Sequence, residues 1–456
     1  MINLKNFKDF NLFFVGIGGI SMSALVHFCH KFGAKVRGSD ISINEEIKNL
    51  NKFGIKTYIG HDENHITDDI NLLVYSGAIK EDNPEVVRAK QLGIKCLERS
   101  EFLGIIMSMF LNSIVVAGTH GKTTTTAMLA SIFRRTDIRP SVHLGGESVE
   151  FGNYLLGNKD LFITEGCEYR NSIRFLNPIT TIITSIELDH TDYYHNYSEI
   201  ENAFLNLANN TRQNVIVFDN INFSNKISSK VNVVNVGFGD NFDVCGKNLT
   251  QNNNGTYSFD VFYNGYIGKF TTPVVGFYNA KNALCAIATA LIYDVPISDI
   301  YMAIKTFKGV RRRFEKVGDI GVNQVICDYA HHPTEILNSI NTAKEIYGKI
   351  TVVFQPHTYS RTIGLKNEFK KCFHMADNLI IFKTYPAREK YIVGGSAKEL
   401  FNEIKHKNKH YCDTKKALKE ALLTIPPNNL VLVLGAGDIY EITKKIVKSI
   451  NKNKDG

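Results

Sequence analysis

The sequence predicts an α/β protein of three domains, with a Rossmann-like domain at each end and a phosphate-loop domain between them. Three features carry this reading. An apolar run feeds a glycine turn and then a helix-length apolar stretch twice, at 12–32 and at 114–134. The last third alternates short apolar runs with helix-length segments, and each run ends in a polar or glycine-containing tip. The length of 456 residues suits about three domains, each able to bury a core.

The first segment, 1–108, opens with Leu12-Phe13-Phe14-Val15 and then Gly16-Ile17-Gly18-Gly19-Ile20-Ser21. A strand, a glycine turn, a helix over Met22–Phe32 and a second strand from Lys35 to Gly38, ending at Ser39-Asp40, resemble a dinucleotide fold. Ser21 takes the third glycine position, and such a turn alone is weak evidence for a redox cofactor. Asp40 has two readings of equal weight, a ribose ligand or a cap for the next helix. Leu72–Ser76 is another strand, followed by Gly77-Ala78-Ile79 and Asn83-Pro84-Glu85.

The second segment, 109–309, holds the most specific motif. Ile114-Val115-Val116-Ala117 leads into Gly118-Thr119-His120-Gly121-Lys122-Thr123-Thr124, and Met128, Leu129, Ile132 and Phe133 then mark one face of a helix. Gly118 and Gly121 allow backbone amides to point at an anion, and the helix N-terminus adds its partial positive charge. Lys122 has the reach to meet terminal phosphates, and the Thr123 hydroxyl suits Mg²⁺. Val116 stands where the strict GxxxxGK[ST] pattern has its first glycine. A solvated glycine turn is the bland alternative, and a Gly-Lys-Thr between strand and helix outweighs it.

Leu161–Thr164 leads to Glu165, and Thr181–Ser185 leads to Glu187-Leu188-Asp189-His190. These strands are expected beside the phosphate loop. Carboxylate and imidazole ligands from Glu165 and His190 suit Mg²⁺ or Mn²⁺; singly they read as a helix cap and a turn histidine. Glu168 lies a turn further on and is the weaker carboxylate candidate. Asn-rich stretches at 219–230 and 248–256 read as turns of a peripheral β-rich insertion. A helix from Asn279 to Tyr293 presents Asn279 and Asn282 at its start.

The third segment, 310–456, carries strands at Val325–Cys327, Thr351–Phe354, Leu379–Phe382 and Leu430–Leu434. Their tips are Asp328-Tyr329-Ala330-His331-His332, Gln355-Pro356-His357-Thr358-Tyr359-Ser360-Arg361, Tyr385-Pro386-Ala387-Arg388-Glu389 and Gly435-Ala436-Gly437-Asp438. Open parallel sheets bind ligands just beyond the carboxyl ends of their strands. Arg313 and Arg361 suit forked contact with phosphate or carboxylate, whereas Arg311 reads as a surface ion pair. His331, His332 and His357 recur with no Cys or carboxylate at ligand spacing, so contact with an anionic ligand is expected rather than a metal.

Composition excludes several classes. The apolar share of 44% and charged share of 21% are those of a soluble globular chain. No apolar run reaches the ~20 residues of a membrane span, and Met1-Ile2-Asn3-Leu4-Lys5-Asn6 lacks a signal-peptide core. A cytoplasmic protein is expected. The eight cysteines stand singly, which favours a reduced compartment and argues against a structural zinc site. The net charge of +8 is spread along a chain rich in Lys, Asn and Ile. Nucleic-acid binding is therefore not expected, and the basic tail from Lys444 to Lys454 reads as a solvated last helix and end.

Together these motifs resemble the Mur ligases, ATP-dependent amide-forming enzymes of peptidoglycan precursor synthesis. The resemblance spans the chain. It includes Gly16–Ser23, Ser76-Gly77-Ala78-Ile79, Gly118–Thr124, Glu187–His190, Asn279 with Asn282, Arg312-Arg313-Phe314, Asp328–Glu335, Phe354–Arg361 and Gly435–Asp438. Asp328–Glu335 with Phe354–Arg361 are its most specific parts. Departures are Tyr278 where many relatives carry His, Thr358 where many carry Arg, and Cys167-Glu168-Tyr169 in place of a more acidic run.

The resemblance implies a P-loop-type ATPase domain with a mixed sheet in the middle. It implies UDP-N-acetylmuramate, ATP and L-alanine as substrates, joined through an acyl phosphate. The sugar nucleotide would lie on Gly16, Gly18, Gly19, Ser76, Gly77 and Ala78. ATP would lie on Gly118–Thr124, Asn279, Asn282, Arg313 and Tyr329. Lys122, His190, His357 and Arg361 would be catalytic, His331 and Arg361 would contact substrate, and Thr123, Glu165 and His190 would hold metal. A relative that attaches a preformed peptide to the same sugar nucleotide is the alternative within the family. An NAD-dependent oxidoreductase would leave Lys122, Glu165 and His190 without a role, and a P-loop GTPase or kinase would leave the flanking domains unexplained.

Overall fold

The computed structural model describes residues 7, 8 and 10–452; the amino-terminal six residues read above for a signal peptide, and the end of the basic tail, lie outside them. The chain forms two compact units. One runs through residue 186 and adds 201–245 and 284–304; the other comprises 187–200, 246–283 and the residues from 305 onward.

The first unit contains two sheets. Strands β1 (Asn11–Val15), β2 (Lys35–Asp40), β3 (Lys56–Ile59), β4 (Leu72–Tyr75) and β5 (Lys95–Glu98) form a parallel sheet in the order β3-β2-β1-β4-β5. The order reverses beside β1, so the turn after β1 lies at a switch point, where such sheets accept ligands. Helix Ile20–Lys31 follows that turn and buries Met22, Leu25, Val26 and Phe28.

The second sheet places β6 (Asn112–Ala117) among β7 (Ser141–Ser148), β8 (Gly152–Leu155), β9 (Leu161–Glu165), β10 (Thr180–Ile183), β11 (Asn214–Phe218) and β12 (Asn232–Phe238). Their order is β12-β11-β10-β6-β9-β7-β8, parallel except for β7 with β8, so the sheet is mixed. β6 runs between β9 and β10, as expected from the two tips that carry candidate ligands. The helix after the phosphate loop, Lys122–Phe133, differs from the amphipathic stretch expected: every residue from Thr124 to Phe133 is buried. A helix covered on all sides needs small or apolar residues throughout, and Thr124–Ala130 supplies them.

The second unit contains β13 (Val244–Gln251) from Gly246 onward, the antiparallel pair β14 (Tyr257–Phe262) and β15 (Tyr266–Thr271), and a six-stranded sheet. Asn248–Gln251 is strand rather than turn; the turn is confined to 252–256. The larger sheet comprises β16 (Glu315–Ile320), β17 (Asn323–Asp328), β18 (Ile350–Phe354), β19 (Asn378–Phe382), β20 (Lys409–Cys412) and β21 (Leu430–Leu434). Its order is β16-β17-β21-β18-β19-β20, antiparallel only at β16. Val352, Phe354, Leu432 and Leu434 pack on one face, and Val353, Val431 and Val433 on the other. Burial on both faces is why these strands read as unbroken apolar runs. The central tips are tied together: Gln355 Nε2 donates to Asp438 Oδ1 (2.8 Å), Gln355 Oε1 accepts from Ile439 N (3.1 Å), and Gly435 N donates to the Asp328 carbonyl (3.1 Å).

Candidate active site

The phosphate loop is built by backbone that only glycine adopts freely. Gly118 has φ +127° and Gly121 φ +84°, and a Cβ at Gly118 would collide with the Thr184 hydroxyl. Thr119 N and His120 N bond to the carbonyl and hydroxyl of Ser185 (3.0 and 2.9 Å). Lys122 Nζ rests on the Gly118 and Thr119 carbonyls and on both oxygens of Glu168 (3.1 and 3.0 Å). Burial works against its charge, yet the Glu168 and Cys167 side outweighs it and holds the lysine above its usual range. Thr123 Oγ1 donates to Glu165 Oε2 at 2.8 Å, and Glu165 Oε1 accepts from Gly145 N at 2.7 Å. Glu165 is therefore no helix cap. It shares the loop with Thr123, while Glu168 is the partner of Lys122. A hydroxyl and a carboxylate side by side offer the hard oxygen donors that Mg²⁺ prefers.

Gly16, Gly18 and Gly19 and the Ser76-Gly77-Ala78 loop lie at the adjoining tips of β1 and β4. Ser76 N donates to the Val15 carbonyl (3.1 Å), and a Cβ on Gly16 would meet Ser76 Oγ at 2.9 Å. Asp40 does not cap the next helix, as one of its two readings had it. Asn44 caps the next helix through Ile47 N (2.9 Å), and Asp40 Oδ2 accepts from Gly18 N (2.9 Å), fixing the glycine turn.

A third group gathers in the second unit around Arg361, which is 5% exposed. Its Nε and Nη2 donate to Asp189 Oδ1 and Oδ2 (2.8 and 3.3 Å), and its Nη1 lies 3.1 Å from His357 Nδ1. Burial pushes the Asp189 carboxyl up, but Arg361 and His190 prevail and hold it well below the usual carboxylate range. The next residue, His190, has φ +52°, and its Nε2 lies 3.9 Å from Asp189 Oδ2. The fork assigned to substrate is thus engaged within the chain.

His357 stacks on Tyr385 (centroids 5.5 Å apart), and burial, with His331 and Arg361 nearby, lowers its pKa to about 3. Burial likewise lowers His331 to about 4. His331 Nδ1 lies 3.0 Å from the Tyr329 carbonyl, which accepts the ring proton. Arg313 lies over the Tyr329 ring and 3.6 Å from Glu335, while Arg311 pairs with Glu315 at the surface, as expected. Asn279 and Asn282 are buried, and Asn282 Nδ2 donates to Asn279 Oδ1 (3.3 Å). Among the described residues the buried hydroxyl of Tyr278 has no hydrogen-bond partner, and Asp328, Arg313 and Glu335 bear on it electrostatically.

Three family models match in chain order: the Mur ligase family catalytic domain over residues 11–111, the Mur ligase middle domain over 116–290, and the Mur ligase glutamate ligase domain over 312–437. The chain belongs to the Mur ligase family. This Mur ligase is 38% identical to the UDP-N-acetylmuramate–L-alanine ligase of Clostridium beijerinckii, over 97% of the chain and 98% of that protein. Its fold is similar to the UDP-N-acetylmuramate–alanine ligase structure from Thermotoga maritima, with a TM-score of 0.81, 28% identity, and coverage of 97% and 99%. It also shares the fold of a murein peptide ligase from Psychrobacter arcticus, with a TM-score of 0.75, 21% identity, and coverage of 97% and 98%.

Three residues around these groups were not singled out from the sequence. Asp189 stood inside a motif with no role of its own, yet it takes the buried arginine. Glu389 accepts from Tyr359 N (2.6 Å), Ser360 N (3.0 Å) and the Ser360 hydroxyl, and so holds the start of the helix that carries Arg361. His143 lies buried against Ser21 (2.9 Å). A lone His and a lone Glu leave no local signal.

Proposed function

We propose that this Mur ligase joins L-alanine to the lactyl carboxylate of UDP-N-acetylmuramate, with cleavage of ATP to ADP and phosphate. The observation that carries the reading is the full-length similarity to an L-alanine ligase in a chain whose Lys122 is already seated in a phosphate loop. Ligases of the peptide-attaching kind share the fold at 21% and 24% identity.

In this reading 1–108 holds the sugar nucleotide, 109–309 binds ATP, and 310–456 admits the amino acid and closes over the nucleotide. The lactyl carboxylate oxygen attacks the γ-phosphorus of ATP, and the bond to the β-γ bridging oxygen breaks, giving an acyl phosphate and ADP. The alanine amine then attacks the acyl carbon. The C–O bond breaks, phosphate leaves, and the amine loses a proton.

Lys122 exchanges Glu168 for the phosphates and neutralises charge as it develops. Gly118–Thr124 orient the phosphate chain; Asn279, Asn282, Arg313 and Tyr329 hold the rest of the nucleotide; His331 and His357 line the substrate side as neutral imidazoles. Thr123, Glu165 and His190 would hold Mg²⁺ or Mn²⁺, which when bound screens the triphosphate charge. Arg361, through Asp189, sets the position of His190. The reaction belongs in the cytoplasm, where ATP is at hand, and no helix among the described residues is long and apolar enough to cross a membrane.

Incubation with ATP, Mg²⁺, UDP-N-acetylmuramate and single amino acids tests this. Phosphate release is expected only with both acceptor and amino acid, fastest with L-alanine. Equal turnover with a tripeptide in place of alanine would move the assignment to the peptide ligases.

A further inference from the structure

Arg99 opens the helix Arg99–Met107 at the carboxyl end of β5. Its Nη1 donates to Ser21 Oγ at 3.1 Å. Among the described residues no other hydrogen bond and no ion pair holds this half-buried guanidinium. Arginine carries five N–H donors in a planar fork, so most of them have no protein acceptor. The remaining donors of the fork are open to a ligand.

The surroundings indicate which kind of ligand. Ser21 lies in the stretch that follows the glycine turn, and its hydroxyl is 2.9 Å from Nε2 of buried His143. The same Nε2 lies 3.2 Å from the Ser21 carbonyl, which can only accept, so Nε2 carries the ring proton. His143 Nδ1 lies 2.9 Å from Thr164 Oγ1. Ser21 Oγ accepts from Arg99, and with the ring proton on Nε2 the imidazole does not take the hydroxyl proton, which is left to donate elsewhere. Burial, with Arg99 adding to it, lowers the His143 pKa to about 3, so the ring brings no charge. The pocket thus offers one guanidinium and one hydroxyl donor.

The position selects among anions. The charge of Arg99 also bears on Cys167, the residue before Glu168, whose carboxylate holds Lys122. β7 carries His143 and, two residues on, Gly145, whose amide holds Glu165. Arg99 thus touches the sugar-side stretch through Ser21, and its charge reaches the phosphate-loop side at Cys167. We propose that Arg99, with Ser21 oriented by His143, binds the substrate carboxylate that is to be phosphorylated. The planar fork matches its two oxygens. Arg99 is then a binding residue and His143 a positioning residue. This inference rests on the ligase reading above.

Calorimetry with two sugar nucleotides separates the carboxylate from the diphosphate. UDP-N-acetylmuramate carries both anions, and UDP-N-acetylglucosamine only the diphosphate. Arg99→Ala is expected to weaken UDP-N-acetylmuramate binding about ten- to a hundredfold, the scale for one charge-assisted contact. UDP-N-acetylglucosamine binding should change less than about threefold. Arg99→Lys should recover only part of the loss, and it decides the same comparison should the alanine variant not fold. Equal weakening for both ligands, or for neither, overturns the proposal while leaving the ligase reading intact. A wild-type protein that fails to bind UDP-N-acetylmuramate overturns both.

Discussion

The pair of Arg361 and Asp189 makes the most demanding prediction. Both side chains are about 5% exposed, and the contact is bidentate, at 2.8 and 3.3 Å. Removing one partner of such a pair leaves a buried charge uncompensated and costs about 3–5 kcal/mol. Arg361→Ala should lower stability by that amount in urea unfolding at neutral pH, whereas Arg361→Lys, which keeps the charge but loses the fork, should lose about half. Acid gives an independent sign. The Asp189 carboxyl is depressed in the folded state, so its contribution is present above the unfolded carboxyl pKa of about 4 and is lost as pH falls through the folded value. In Arg361→Ala the buried carboxylate has lost its cation and its pKa rises. Protonation should then favour the folded state, so this part of the pH dependence reverses. Replacing both residues, Asp189→Leu with Arg361→Met, should return most of the stability but not phosphate release, because His190 loses its support. An Arg361→Ala protein within about 0.5 kcal/mol of wild type, with an unchanged acid profile, or a fully active double variant, would refute the reasoning.

Other predictions concern the phosphate loop and the histidines. Lys122→Ala should cut phosphate release at least about a hundredfold while leaving UDP-N-acetylmuramate affinity unchanged by calorimetry, because the proposed function puts the two ligands on different domains. Glu165→Gln and Thr123→Ala should raise the Mg²⁺ concentration giving half-maximal rate more than Glu168→Gln does; the reverse order would make Glu168 the metal carboxylate. His331 and His357, with pKa values of about 4 and 3, should show no imidazole titration by NMR above about pH 5. Because the unfolded imidazoles bind protons from about pH 6.5 downward and the folded ones do not, these two groups should also reduce stability as pH falls through that window. Replacing both with Gln should flatten it.

Local periodicity made the sheets legible, and tertiary pairing hid much of the chemistry. β1, β6, β18 and β21 read correctly as apolar runs because strands buried on both faces carry no polar alternation. The glycines of the phosphate loop read correctly because φ values of +127° and +84° leave little choice of residue. Asp40, Ser21 and Arg361 read less well, since their partners lie 22, 122 and 172 residues away. A sequence rule states that a buried arginine needs a carboxylate, but it does not choose among Asp189, Asp328 and Glu335.

The tip at 355–361 shows the same limit from the backbone side. Thr358 has φ +68°, a conformation that costs a β-branched residue on the order of 1–3 kcal/mol and persists only where its surroundings over-determine it. Here they do. The Thr358 hydroxyl accepts from Arg361 N (3.4 Å), Thr358 N donates to the Tyr385 carbonyl (2.9 Å), and Glu389 accepts from the amides of Tyr359 and Ser360. Two tips that read as separate polar clusters are therefore one device. The tip of β19 pays for the strained turn after β18, and that turn is what points Arg361 at Asp189.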